Sequence, residues 1–280
     1  MSTAAAVSHT PQSRPRHRIQ GRQSFLLLTR SEWVKIRSLP STWVAAALTV
    51  LVTVLIGAGL AIGHSKTPEL AYKAKDMVTI GSAFGQLVVV VLSALVITSE
   101  YSSGQIRSSL AAAPRRTQLM AAKVLVVSLL AFILGAGSML LTWAVSAPFM
   151  GEHAGSLTDS HYLAHIWGSG LSFIIIAVLG LALGYLLRST AGAISVSMVL
   201  LFVLSVPLSI AGMKWDAAKW INSLLPLNAA EALVDPYGAI HAWGAEGSFT
   251  LSQPLMAAIA VAWAVVPLLA AWAVFIKRDA

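Results

Sequence analysis

Residues 166–187 read IWGSGLSFIIIAVLGLALGYLL and residues 192–213 read GAISVSMVLLFVLSVPLSIAGM, with only the four residues RSTA between them. Each run is 22 residues long and contains no Asp, Glu, Lys or Arg. An α-helix needs about 20 mostly apolar residues to cross about 30 Å of hydrocarbon. The two runs therefore predict a pair of membrane-spanning helices, and the short connection predicts a tight antiparallel hairpin.

Four further segments have the same character, at residues 43–63, 78–99, 124–147 and 254–276. The whole chain is 57% hydrophobic and 11% charged, with a mean hydropathy of +0.76. This composition offers too little polar surface for a water-soluble globule of 280 residues. We predict an all-α membrane protein with six transmembrane helices.

The basic residues are distributed unevenly between the connecting segments. Of 19 Lys and Arg residues, 14 lie within 1–40, 100–123, 188–191 and the residues after 276. The positive-inside rule then places both termini and the 100–123 loop in the cytoplasm. The high isoelectric point is explained by this topology, and we expect no nucleic-acid partner, because no basic patch with interleaved aromatic residues occurs.

The N-terminal part is polar and differs from the rest. Residues 1–23 predict a disordered cytoplasmic tail, and residues 24–280 predict one transmembrane domain. Residues 24–40 predict an interfacial elbow helix with basic residues away from its apolar side. That side holds Leu26, Thr29, Trp33 and Ile36. A basic flank that fixes the orientation of the first span is an alternative, and the two interpretations are compatible.

Residues 214–253 alternate short apolar stretches with Pro, Asn and Gly. No stretch there is long enough to span a bilayer, so we predict short external helices before the last span, lying on or dipping into the outer leaflet. A surface loop is the alternative.

Several kinds of chemistry lack the residues that they need. The chain has no cysteine, no G-x-x-x-x-G-K-[ST] phosphate loop, no HExxH and no G-x-S-x-G. We expect neither an enzyme nor a bound cofactor in this chain. His161 and His165 have an i, i+4 spacing with Asp159 and His153 nearby, which allows a metal site; ordinary interfacial histidines are the interpretation we favour.

The predicted spans contain few polar side chains and several small-residue pairs. Gln86 is the one strongly polar side chain deep in a span, which argues against a proton-coupled antiporter. Small-residue spacing allows close approach of helices, within the chain or in a dimer. The pairs are Gly59 and Gly63, Gly81 and Gly85, and Gly180 and Gly184.

The segment EYSSGQIRSSLAAAPRRTQLMAAK at residues 100–123 has an order that is unusual for a loop. Glu100 stands at the mouth of the second span and Gly104 permits a sharp turn. Ile106 and Leu110 form an i, i+4 apolar pair before Pro114 ends the helix. We predict a short helix lying across the membrane face; a loop that only supplies positive charge is the alternative.

This segment, together with SEWVKIRSLPSTW at residues 31–43 and the six-span layout, resembles the permease subunits of ABC-2 type transporters, especially those of actinobacteria. The matching pattern is E-Y-x-x-G-x-I-R followed by P-x-R, with Gln105 where Thr is commoner. The resemblance covers nearly the whole chain. It implies an exporter subunit in a bacterial cell membrane that moves an amphiphilic or apolar compound.

The resemblance also implies partners and site residues. A separate cytoplasmic ATPase subunit would bind ATP and Mg, and a second permease subunit, identical or paralogous, would pair with this one in the lipid bilayer. The elbow helix and the coupling helix would contact the ATPase through Glu32, Trp33, Glu100, Tyr101, Gly104, Arg107, Arg115 and Arg116. The translocation path would include Gln86, Ser93, Ser197 and Ser205. A non-transporting membrane partner, such as an immunity or assembly protein, is the rival interpretation.

The orientation yields a direct prediction. Because the chain has no native cysteine, single cysteines can report sidedness without background. Both termini and Pro114 should react with an impermeant maleimide from the cytoplasmic side, and Lys73, Gly155 and Gly238 from the external side. Labelling of position 238 from the cytoplasmic side alone would overturn the six-span topology.

Overall fold

The computed structural model describes residues 24–113, 115–235 and 251–277. Over these residues the fold is helical, without any β-strand. The helices are α1 (Phe25–Ser38), α2 (Pro40–Ser65), α3 (Ile80–Ser102), α4 (Gln105–Ala112), α5 (Arg116–Met150), α6 (Ser160–Leu187), α7 (Thr190–Met198), α8 (Ser205–Gly212), α9 (Asp216–Ser223), α10 (Pro226–Val234) and α11 (Gln253–Lys277).

Six helical stretches are long and apolar enough to cross a membrane, which confirms the predicted helix class and multi-pass character. They are Pro40–Ser65, Met77–Ser102, Arg116–His153, Ser160–Leu187, Thr190–Gly212 and Gln253–Lys277. The main boundary difference is at α5, which starts at Arg116 and not near residue 124. Lys123, which we had assigned to a loop, therefore lies two turns inside a helix.

The fifth apolar helix is not uniform. A π-helical turn at Val199–Val203 separates α7 from α8. In a π turn the backbone hydrogen bonds join residues i and i+5 instead of i and i+4, so the turn holds one extra residue. Leu201 in this turn is buried against the bundle, whereas Val203 is exposed. The sequence had predicted an unbroken helix here.

Helix α6 lies at the centre of the bundle and packs against α3, α5, α10 and α11. Its glycines make this possible. A Cβ at Gly180 would meet Ser93 of α3, and one at Gly168 would meet the Leu233 carbonyl of α10. The backbones approach so closely that larger residues would separate the helices.

Two of the three predicted small-residue pairs are packing contacts within the chain. Gly81 and Gly85 of α3 lie against Thr53 of α2, and Gly180 and Gly184 lie against α3. The third pair differs, because a Cβ at Gly59 or Gly63 would meet no atom within 4 Å.

Contacts between distant helix ends define two ends of the bundle. At the basic end, Arg116 donates to the Phe275 carbonyl at 2.9 Å, and the Arg188 guanidinium lies 5.0 Å above the Tyr101 ring. At the opposite end, the Lys66 ammonium donates to the Phe149 carbonyl at 2.7 Å. The basic end is the one that the distribution of Lys and Arg assigns to the cytoplasm.

The segment before the last span contains two short helices, as predicted. Helix α9 is largely exposed, whereas α10 packs against α6 and α11 and is buried along most of its length. The alternative of a surface loop is wrong for residues 216–234. Some earlier predictions fall outside the described residues: the tail at 1–23, the helix end at Pro114 and the label site at Gly238. Gly155 is buried against the Tyr162 ring, so exposed Lys214 is a better label site.

Helix packing makes a paired prediction. Gly81→Ala places a methyl group against the Thr53 carbonyl and should cost about 1 to 3 kcal/mol of unfolding free energy. Gly59→Ala, where the Cβ meets open space, should cost nothing and serves as the control. Thermal unfolding in detergent compares the two variants, with the loss of monodisperse protein on heating as the measurement. Equal melting temperatures would contradict the close packing of α2 and α3.

Candidate functional site

Five polar side chains from four helices meet in the interior at the basic end. They are Glu32 and Lys35 of α1, Glu100 of α3, Ser109 of α4 and Lys123 of α5. We call this group the ion cluster. Glu32 is 0% exposed, Lys123 is 1% exposed and Glu100 is 4% exposed. Charges so deeply buried are tolerated only when they are paired.

Lys123 lies between the two carboxylates. Its ammonium donates to Glu32 Oε2 at 2.5 Å and to Glu100 Oε1 at 2.8 Å. Since Lys123 belongs to α5, these two bonds connect α5 to both α1 and α3. The contact is long-range in sequence, because Glu32 and Lys123 are 91 residues apart.

Lys35 bridges the same carboxylates from the other side. Its ammonium donates to Glu32 Oε1 at 2.7 Å, to Glu100 Oε1 at 3.2 Å and to Ser109 Oγ at 2.9 Å. A lysine has three N–H donors, so Lys35 uses all of them. The bond to Ser109 attaches α4 to the cluster.

The cluster is electrically balanced, with two carboxylates and two ammonium groups. Burial by itself raises the pKa of Glu32, but the charge and hydrogen bond of Lys123 outweigh it and lower that pKa overall. Burial lowers the pKa of Lys35, and the hydrogen bond and charge of Glu32 reverse this into a raised pKa. Glu32 therefore stabilises the fold until the pH falls through its lowered pKa, and Lys35 does so until the pH rises through its raised pKa.

The predicted helix after the second span is present as α4. It begins after Gly104, whose φ of 72° lies in the left-handed region that favours glycine. Ile106 and Ser109 are buried, and Leu110 packs against the same core. Glu100 binds Lys35 and Lys123, whereas Arg107, the basic residue nearest to it in the sequence of this segment, is exposed.

The other residues predicted for this region fall into two groups. Trp33 packs partly against the core, Tyr101 stacks under Arg188, and Arg116 binds the C-terminal carbonyls of α11. These three connect helices. Arg107 and Arg115 are exposed at the basic end.

The residues predicted for a translocation path are all buried. Ser93, Ser197 and Ser205 each donate to a carbonyl of their own helix three or four residues earlier. Gln86 is different, since its amide nitrogen donates to Glu231 at 2.6 Å and to Ser172 at 3.3 Å.

Glu231 of α10 is a buried ionisable residue that the sequence analysis missed. Its carboxyl lies 3.0 and 3.2 Å from the Ser82 hydroxyl, which itself donates to the Thr79 carbonyl at 2.7 Å. Burial raises the pKa of Glu231, against the opposing effect of the hydrogen bonds from Ser82 and Gln86. A protonated Glu231 can donate to Ser82 and leaves no bare charge in the interior.

Comparison with known proteins gives a family and no function. Residues 65–280 match the family described as "Protein of unknown function (DUF2705)". This chain belongs to the DUF2705 family. No curated protein matches the chain. The matched region of this DUF2705 protein contains Glu100, Ser109 and Lys123, whereas Glu32 and Lys35 precede it.

Breaking the ion cluster should destabilise this DUF2705 protein. Lys123→Met leaves two buried carboxylates with Lys35 alone, and losing one partner of a buried pair costs about 3 to 5 kcal/mol. The unfolding midpoint in detergent should fall accordingly.

The double variant Lys123→Met with Glu32→Gln removes one charge of each sign and should recover a large part of that loss. Lys214→Met, at an exposed lysine of the opposite end, is the matched control and should leave the midpoint unchanged. A midpoint for Lys123→Met equal to that of the parent would show that the cluster contributes no net stability.

Proposed function

We propose that this protein is the membrane subunit of an ATP-driven exporter of the ABC-2 type, with ATP hydrolysed by a separate cytoplasmic subunit. The observation that carries the proposal is the attachment of α4 to the ion cluster. Through Ser109 and Lys35, a short helix at the basic end is joined to α1, α3 and α5.

The two faces of α4 support a coupling role. One face is buried, with Ile106, Ser109 and Leu110 towards the bundle. The other exposes Arg107 and Ser108, and Arg115 follows the helix. A partner that pushes on the exposed face would act on a helix whose buried face is fixed to the ends of three others, so the push would be passed on as rigid-body movement.

The assignment of ATP hydrolysis to a separate subunit follows from the missing phosphate loop. The chain has no G-x-x-x-x-G-K-[ST] sequence, so energy from ATP must come through a protein contact. Helix α1 adds to that contact surface, because Glu32 and Ile36 are buried while Arg30 and Arg37 are exposed. We place the ATPase against α1 and α4 at the basic end, on the cytoplasmic side of the bacterial cell membrane.

A second permease subunit and an amphiphilic substrate complete the proposal. The first, fifth and sixth apolar helices are mostly unburied within this chain, which leaves apolar faces for lipid or for a second subunit. The Gly59 and Gly63 face of α2 has room for close approach of another helix. The buried polar groups around Gln86 and Ser172 are an amide, hydroxyls and the Glu231 carboxyl. Protonation of Glu231 would make this group neutral as a whole, which suits an uncharged or amphiphilic compound.

A non-transporting partner protein remains the rival. It would also need spanning helices, but it would need no exposed basic face on a fixed transverse helix. The two proposals differ in whether α4 transmits energy.

The test uses the chain co-expressed with the proposed ATPase subunit and reconstituted in vesicles. Arg107→Glu with Arg115→Glu should lower the coupled ATPase activity and transport at least several-fold, because both side chains are exposed at the end where we place the ATPase. Abundance and melting temperature should stay at the parent values. The purified chain alone should hydrolyse no ATP.

The control is Lys214→Glu, which makes one such charge reversal at an exposed lysine of the opposite end. It should leave both activities unchanged. Parent-level transport by the double variant at equal abundance would refute a coupling role for α4. Glu100→Ala is a poorer probe, because it would also leave Lys123 with one buried partner.

A further inference from the structure

We propose that Asp76, His161 and His165 form a binding site for a transition-metal dication such as Zn²⁺, at the end of the bundle opposite the ion cluster. Asp76 lies in the connection between α2 and α3, and the two histidines are one turn apart near the start of α6. The site is independent of the proposed transport function.

The distances match those between ligands of one metal ion. Asp76 Oδ1 lies 3.2 Å from His161 Nε2 and 3.3 Å from His165 Nε2, and the three ligand atoms all lie within 4.8 Å of one another. Ligand bonds of about 2.0 to 2.1 Å in a tetrahedron put neighbouring ligand atoms about 3.3 Å apart. The two distances to Asp76 therefore fit, and the two histidine nitrogens lie no more than 4.8 Å apart.

The hydrogen bonding of His165 also favours a cation beside its Nε2 atom. Its Nδ1 lies 2.8 Å from the Val234 carbonyl, which can only accept, so Nδ1 carries a proton. In the neutral ring, Nε2 then has a lone pair, and that lone pair faces a carboxylate oxygen 3.3 Å away. Two acceptors facing each other repel. A metal ion between them resolves the conflict, and so would a second proton on His165.

The surroundings favour the metal over the proton. Metal-binding histidines usually give their other ring proton to a carbonyl or carboxylate, which fixes the ring, and Val234 does this for His165. His165 is 0% exposed and Asp76 is 6% exposed, whereas the side chain of His161 is 24% exposed. Solvent can reach the site from the His161 side, which provides an entry path and a fourth position for water.

The donor set selects the class of ion. Two imidazole nitrogens and one carboxylate oxygen suit Zn²⁺ and its neighbours in the transition series, whereas Mg²⁺ and Ca²⁺ prefer oxygen ligands only. A bound ion would link the connection before α3 to α6 and, through Val234, to α10.

The acid that lies near the two histidines in the sequence, Asp159, is not the one that lies near them in the structure. Asp159 accepts from the backbone N–H of His161 at the start of α6, and His153 lies 3.9 Å from Glu152. Neither contributes to the group. Asp76 replaces them although it is 85 residues from His161 in the chain.

The experiment measures metal content and affinity on the purified full chain in nanodiscs, stripped with chelator and then titrated with Zn²⁺. We expect one Zn²⁺ per chain and a raised melting temperature on binding. His161→Ala should weaken Zn²⁺ binding at least about tenfold and abolish the melting shift. His161 is the first choice because it is partly exposed, so its loss should not prevent folding.

Two further variants make the result specific. His153→Ala changes a nearby histidine outside the group and should keep the full stoichiometry. His161→Cys should restore binding, and with Co²⁺ it should add a thiolate charge-transfer band. Absence of bound Zn²⁺ in the parent chain, or equal affinity in the parent and His161→Ala, would overturn the proposal and leave His165 as a protonated partner of Asp76.

Discussion

The fold at the basic end depends on how the Lys123 charge is neutralised. Lys123 is 1% exposed inside a helical bundle, and its ammonium group requires a partner of opposite charge, because desolvation without one would cost several kcal/mol. Two carboxylates from two other helices surround it, and a second lysine balances their charge. Helices α1, α3 and α5 can therefore separate here only by exposing a charge to the apolar interior. That requirement acts together with the apolar packing of Ile36, Ile97 and Ile106 at this end.

The same reasoning explains why α4 is helical and where it lies. An eight-residue helix is too short to be stable by itself. Its buried side has the apolar residues Ile106 and Leu110, and its Ser109 hydroxyl occupies the third donor of Lys35. Gly104 supplies the turn that brings the chain back across the end of α3. Packing, turn and hydrogen bond thus act together on one short segment, and its other side is left exposed.

The sequence predicted what is local and missed what is distant. Six apolar runs fix six helices, because a run of about 20 apolar residues is a property of neighbouring positions. Gly104 and the Ile106 and Leu110 pair predicted α4 for the same reason. Lys123 was assigned to a loop because the polar residues in the first turns of α5 have the composition of a loop. Glu231 was missed because its segment is too short to span, although it packs against α3 and α6.

The two sites built from distant residues could not be paired by spacing. Glu100 had a close basic residue in Arg107, yet it binds Lys35 and Lys123, since burial and not sequence distance selects its partners. His161 had a close acid in Asp159, but that carboxylate already caps α6. Asp76 became the partner because α3 packs along α6, which brings the residue before α3 to the start of α6.

Helix α3 connects these features along one axis. Asp76 precedes it, Ser82 and Gln86 bind Glu231 in its first turns, and Glu100 lies near its end. From Ser82 to Glu100 the helix rises about 27 Å, close to the thickness of the hydrocarbon core. Between these points it is held tightly by glycine contacts to α2 and α6. A change at Glu100 therefore cannot be absorbed by bending a loosely packed helix, and any movement of α3 at the basic end would have to displace the polar contacts at its other end.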